Sequence, residues 1–156
     1  MNKKLVFLIF LIIGIVSFVS AKDRIFFDFN YGVLVYPGFG GKIGYEHYWN
    51  NEKIGFIADV NYHNSGDNYF GLAAGIVFNN MGFNGVLRTS EYIKLKGVFA
   101  TRKVNSNYFI APNVDFGFNL DVFFAEKISF FAGFGYEMRL MFLPHLYTST
   151  GMRITL

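Results

Sequence analysis

The chain has 156 residues, no cysteine, and 14 basic against 11 acidic side chains. The missing cysteines exclude a disulfide framework, a thiolate metal centre and a lipidated N-terminal cysteine, and a net charge of +3 gives no basic footprint for nucleic acid. Aromatic residues make up 21% of the chain, more than a small soluble secreted domain carries.

The first element is a leader. Asn2-Lys3-Lys4 is basic, Leu5 to Val19 is an almost unbroken apolar run, and small residues at Val19 and Ala21 precede Lys22. This is the layout of a secretory signal peptide, and the run is too short for a membrane-spanning helix. Cleavage after Ala21 leaves residues 22–156 as one domain. Without Lys3 and Lys4 the 14 basic residues fall to 12, against 11 acidic, so the exported part is close to neutral.

From there the sequence alternates with a period of two, the signature of strands whose side chains point to opposite faces. Strand one is expected over Ile25–Val35, and the Pro/Gly segment Tyr36–Gly40 turns the chain. Strand two follows over Gly41–Trp49, a polar turn over Asn50–Lys53, and strand three over Ile54–Tyr62. The polar loop His63–Asn68 leads into strand four, Tyr69–Phe78. The segment Asn79–Ser90 reads as a long turn, or as the beginning of the next strand. Strand five is expected over Glu91–Thr101, Arg102–Asn107 as a loop, and strand six over Tyr108–Asp121, with a bulge at Pro112, which has no N–H for the ladder. A turn over Asp121–Lys127, strand seven over Ile128–Arg139, the loop Leu140–Pro144 and strand eight over His145–Leu156 complete the count at eight. The number is even, and each strand is long enough to cross a bilayer when tilted.

The two faces differ sharply. One is bulky and aromatic and holds essentially no charge. The other carries many glycines together with Asp28, Lys42, Glu46, Asp59, Lys94, Lys96, Asp115, Glu137, Arg139 and Arg153. An eight-stranded barrel is only wide enough for its own side chains or one small ligand. The crowd of rings would not fit inside; glycines and a few charges would. The expected architecture is therefore an all-β, closed, antiparallel transmembrane barrel with the charged face in the lumen and the rings against lipid. Trp49, Tyr62, Tyr108 and Tyr136 fall at strand ends, as interfacial aromatic girdles do. His47 shares the lipid-facing row near Trp49 and is expected at the interface as a neutral imidazole. A periplasmic lipocalin-like ligand-binding barrel and a two-sheet sandwich are the competing folds, but their solvent face should be rich in Lys and Glu, not glycine.

The signal segment, the eight alternating strands and a last strand, LYTSTGMRITL, that runs to Leu156 resemble the small eight-stranded outer-membrane barrels of the OmpA transmembrane-domain and OmpX-like group. Members usually end in an aromatic residue where this chain has leucine. The resemblance implies residence in the outer membrane of a diderm bacterium, with outer-membrane lipids and the outer-membrane assembly machinery as partners, and a monomer is expected. The even strand count puts both termini on one side; if that side is the periplasm, the turns Asn50–Lys53, Asn79–Ser90 and Asp121–Lys127 face it too.

The ten inward charges are expected to pair, because unpaired charges in a narrow lumen are expensive. A salt-bridge network that fills the barrel is the reading they favour; a narrow pore is the alternative. No cofactor is implied, and no carboxylate and histidine cluster has metal spacing. Some barrels of this size act on lipid A or phospholipid acyl chains, and His63, Ser65, His145 and Ser149, with Asp67, supply the residue types for such an enzyme but no motif. A surface adhesin is the third class, and outer loops of this length offer it little area.

Overall fold

The computed structural model describes residues 22–34, 37–49, 52–65, 68–82, 85–100, 110–139 and 144–156. They form eight strands: β1 (Asp23–Leu34), β2 (Gly38–Tyr48), β3 (Ile54–Asn64), β4 (Asn68–Gly82), β5 (Leu87–Ala100), β6 (Ile110–Ala125), β7 (Ile128–Arg139) and β8 (His145–Thr155). Each pairs antiparallel with its sequence neighbour, and β1 pairs with β8, so the sheet closes on itself. The leader 1–21, Val35 and Tyr108 lie outside the described residues.

Strand bounds are where the sequence misleads. The segment Asn79–Ser90 is mostly strand: β4 and β5 stay in register from Phe78↔Glu91 out to Gly82↔Leu87. The expected turn Asp121–Lys127 shrinks to Glu126 and Lys127, because β6 continues to Ala125. Asparagine, glycine and aspartate suggest turns in a sheet with a dry core. In a barrel with a polar lumen they are what the inward face requires, so the alternation runs on through them. β1 likewise begins at Asp23, and β2 begins at Gly38, inside the expected Pro/Gly turn.

Pro112 is a second correction. It pairs with Gly97 without a register shift, and the described β6–β7 pairs begin only at Asn113. The described irregularities lie elsewhere, between Gly32 and Leu34 and between Phe123 and Ala125.

The outer surface is apolar. Leu95 is 72% exposed and Ile43 is 60% exposed, with Phe29, Val60, Leu72, Phe130 and Phe134 likewise facing outward. Inside, among the described residues, Phe26, Tyr48, Ile57, Val77, Tyr92 and Phe131 form a buried apolar cluster. The inward rings have room because glycines oppose them across the ladder: Phe26↔Gly44, Tyr48↔Gly55, Tyr92↔Gly117, Tyr147↔Gly135 and Phe131↔Gly151. Gly117 and Gly135 also face each other. They make a two-glycine floor over which Tyr92 and Tyr147 lean from either side until their hydroxyls meet at 2.8 Å. A Cβ on either glycine would overlap the tyrosine ring above it. Gly135→Val is therefore expected to lower the unfolding free energy in vesicles by about 1–3 kcal/mol, the usual cost of overpacking. An unchanged urea midpoint would show that the ring does not lie on that floor.

Candidate functional site

Successive inward positions stack the polar lumen in three layers. In the middle layer Asp28 comes from β1, Lys42 from β2, Asp59 from β3, Lys94 from β5, Asp115 from β6, and the two tyrosines from β5 and β8. Lys94 Nζ donates to Asp59 Oδ2 at 2.6 Å and lies 3.2 Å from Asp115 Oδ2. Lys42 Nζ donates to the Tyr147 hydroxyl at 2.8 Å, which in turn donates to Asp115 Oδ1 at 2.6 Å. Lys42 is 3.7 Å from Asp28 and 3.8 Å from Asp115. Both ammonium groups also sit over rings, Lys42 over Tyr147 at 4.2 Å and Lys94 over Tyr92 at 4.3 Å. Three carboxylates thus surround two ammonium groups, with tyrosine hydroxyls linking them.

The layer toward the end opposite the termini centres on Glu137. It accepts from Lys96 Nζ at 2.9 Å, from Asn113 at 2.6 Å and from Arg139 Nε at 3.1 Å. His63 and His145 lie above, their rings edge to face at 4.9 Å. Both histidines are buried, and His63 Nε2 and His145 Nδ1 have no hydrogen-bond partner. A cavity of about 10 Å³ beside them is lined by Asn30, Asn61, Lys96 and Glu137, room for one water at most.

The layer toward the termini is built on Arg153. Its Nε donates to Glu46 Oε1 at 3.0 Å and its Nη1 donates to Asp121 Oδ1. Glu46 also accepts from the Tyr48 hydroxyl at 2.8 Å, and Asp121 from Arg88 at 3.0 Å and Ser129 at 3.2 Å.

All ten charged residues singled out in the sequence thus have side chains in the lumen. Arg139 is the most exposed of them at 15%. Sequence reasoning missed Arg24, Arg88 and Asp121, which are as deeply buried as the rest. The signal was present: continuing the inward alternation leads from Asp28 through Phe26 to Arg24, from Lys94 through Tyr92 and Ser90 to Arg88, and from Asn119 to Asp121. Arg24 and Arg88 were obscured because the expected strands one and five begin at Ile25 and Glu91, and Asp121 because it stands where the expected strand six passes into the expected turn.

The rim residues are only partly assembled. His63 and His145 come together, but Ser149 Oγ lies 3.2 Å from the Asn119 side-chain amide, not from a histidine. Ser65 follows the end of β3, and Asp67 lies outside the described residues, as do Arg102–Asn107 and Leu140–Leu143. His47 differs from expectation. It stands on the outer row opposite Asp23, yet is only 5% exposed. Its Nδ1 is 2.8 Å from Asp23 Oδ1, the oxygen that also accepts from the Tyr45 hydroxyl at 2.7 Å. The imidazole is thus screened by a carboxylate and a phenol instead of meeting lipid directly.

No family model and no curated protein matches the sequence. Solved structures do. The N-terminal β-barrel domain of Pseudomonas aeruginosa OprF aligns with a TM-score of 0.62 at 16% identity, covering 87% of this chain and 99% of that one. Neisserial surface protein A aligns at 0.59 and 10% identity, over 86% and 94% of the two chains. The Yersinia pestis outer-membrane protein Ail, in a phospholipid bilayer nanodisc, aligns at 0.59 and 13% identity, over 87% and 99%. The fold is that of a small eight-stranded outer-membrane barrel. At these identities the likeness concerns the architecture, and it spans nearly the full length of each of these barrels.

Proposed function

We propose that this chain is an integral outer-membrane protein of a diderm bacterium, exported on the 1–21 segment and inserted by the outer-membrane assembly machinery. It resides among outer-membrane lipids as a monomer, in a structural or membrane-surface role. Both termini and the turns around Glu52, Gly85 and Glu126 face the periplasm, and the histidine end faces outward. The observation that carries this reading is the inversion of the barrel. Its outside is a belt of exposed Leu, Ile, Val and Phe far larger than a soluble monomer presents, while its inside holds buried, mutually bonded charges. Water outside and a charged core inside is the costly arrangement; lipid outside makes it favourable.

The lumen serves as a plug and not as a pore. What supports this is that Lys94, Asp115, Glu46 and Arg153 are each at most 2% exposed. The purified full chain in a planar bilayer is expected to give no steady single-channel steps; regular conductance of the size of a general porin would replace the plug by a pore. Fractionation of the native cell with surface protease treatment tests the location. Recovery in the outer-membrane fraction is expected, and recovery in soluble periplasm would reject the membrane reading.

A further inference from the structure

At the end of the barrel that carries both termini, a pocket of about 400 Å³ opens to solvent. Its charged lining is Lys22, Arg24, Glu52 and Glu126, and its apolar lining includes Val86, Phe123 and Phe124. Arg24 is only 4% exposed and lies over the Tyr48 ring at 4.3 Å, but its Nε and Nη1 have no hydrogen-bond partner. Its distances to carboxylates are long: 4.0 Å to Glu46 and 3.7 Å to Glu52. Glu52 is engaged elsewhere, 2.7 Å from Lys22.

Arg88 stands behind Phe123, its guanidinium 4.9 Å from that ring, with Nε and Nη1 also unpartnered. Arg88 and Arg153 both repel the Arg24 guanidinium. Three buried guanidinium groups therefore share two buried carboxylates, Glu46 and Asp121, and Arg153 occupies both. A desolvated cation with unused donors is costly. An anion entering the pocket from outside would remove that cost.

We propose that this mouth is a binding site for a phosphate group, held by Arg24 and Lys22, with Glu52 as an internal competitor that the ligand displaces. A phosphate has enough acceptor oxygens to meet the Arg24 donors and the Lys22 ammonium together, and charge-assisted bonds of this kind are strong. The apolar wall accepts a phosphate carried on an apolar body. Phe123 turns toward the lumen, while Phe124 is 58% exposed on the outer surface. The pocket thus reaches from the lumen to the lipid-facing side, and either a free phosphate or a phospholipid headgroup can supply the group.

The test uses the full exported chain, ¹⁵N-labelled, in maltoside micelles that contain no phosphate, with the arginine Nε–H resonances followed by NMR. Inorganic phosphate is added against sodium chloride at matched ionic strength, and a parallel sample is prepared in phosphatidylglycerol nanodiscs. The Arg24 resonance is expected to move saturably with phosphate and not with chloride if free phosphate is the ligand. If a headgroup is the ligand, it is expected to stand shifted in the nanodiscs from the start. Arg24→Gln should weaken phosphate binding about ten-fold or more, the loss of a charge-assisted hydrogen bond, and Glu52→Gln should tighten it by removing the competitor. Should Arg24→Gln fail to fold, the wild-type titration and Glu52→Gln decide. An Arg24 resonance unmoved by both phosphate sources, or moved equally by chloride, overturns the proposal.

Discussion

Replacing Arg153 by methionine is expected to lower the unfolding free energy in lipid vesicles by about 3–5 kcal/mol, the cost of leaving buried charges without their partner. Arg153 is 2% exposed and bridges carboxylates from two distant strands, Glu46 on β2 and Asp121 on β6. Methionine preserves much of the packing against Phe131, over which the guanidinium lies at 4.2 Å, so the loss reports the charge. Arg88 and Tyr48 still hold one bond each to Asp121 and Glu46, which favours the lower end of that range. Arg139→Met should cost clearly less, because Arg139 is 15% exposed and Glu137 keeps Lys96 and Asn113. The double variant Glu46→Gln, Arg153→Met should recover part of the loss, since Asp121 keeps Arg88 at 3.0 Å and Arg24 keeps Glu52 at 3.7 Å, so no buried charge loses its last partner. If the double is no more stable than Arg153→Met alone, unpaired charge is not what the single change exposes.

The fold was legible because a period-two pattern survives any uncertainty about where a strand ends. The sequence of β6 shows this: Val114, Phe116, Phe118 and Leu120 alternate with Asn113, Asp115, Gly117 and Asn119, and the structure puts Asn113, Asp115 and Asn119 in the lumen. What could not be read was the pairing of charges. Arg153 is separated from Glu46 by 107 positions, and such a partner depends on the register around a closed sheet, which the strand patterns alone do not set. The glycine floor under Tyr92 and Tyr147 was hidden for the same reason: each glycine is ordinary within its own strand and acquires meaning only when β5, β6, β7 and β8 stand side by side. Strand ends were lost to a different cause, the reading of lumen-facing asparagine, aspartate and glycine as turn residues.

Substituting arginine at Leu95 separates a membrane barrel from a soluble one of the same shape. Leu95 is 72% exposed, set between Ala74 on β4 and Val114 on β6, well inside β5. In water, an exposed leucine changed to arginine alters stability by no more than about 0.5 kcal/mol. In a bilayer the same change places a guanidinium in hydrocarbon and costs about 2–4 kcal/mol near the midplane of a barrel. The structure adds a depth series. Phe39, also outward at 53% exposed, is the second residue of β2, so arginine there can reach the interface and should cost about 0–1 kcal/mol. Urea unfolding from vesicles should therefore rank Leu95→Arg well below Phe39→Arg in stability, and the gap should narrow in detergent micelles, whose interior is thinner and more deformable. If both variants unfold within about 0.5 kcal/mol of the parent chain in vesicles, the cost in hydrocarbon is absent. The exposed belt would then face water, and the outer-membrane assignment would fall with it.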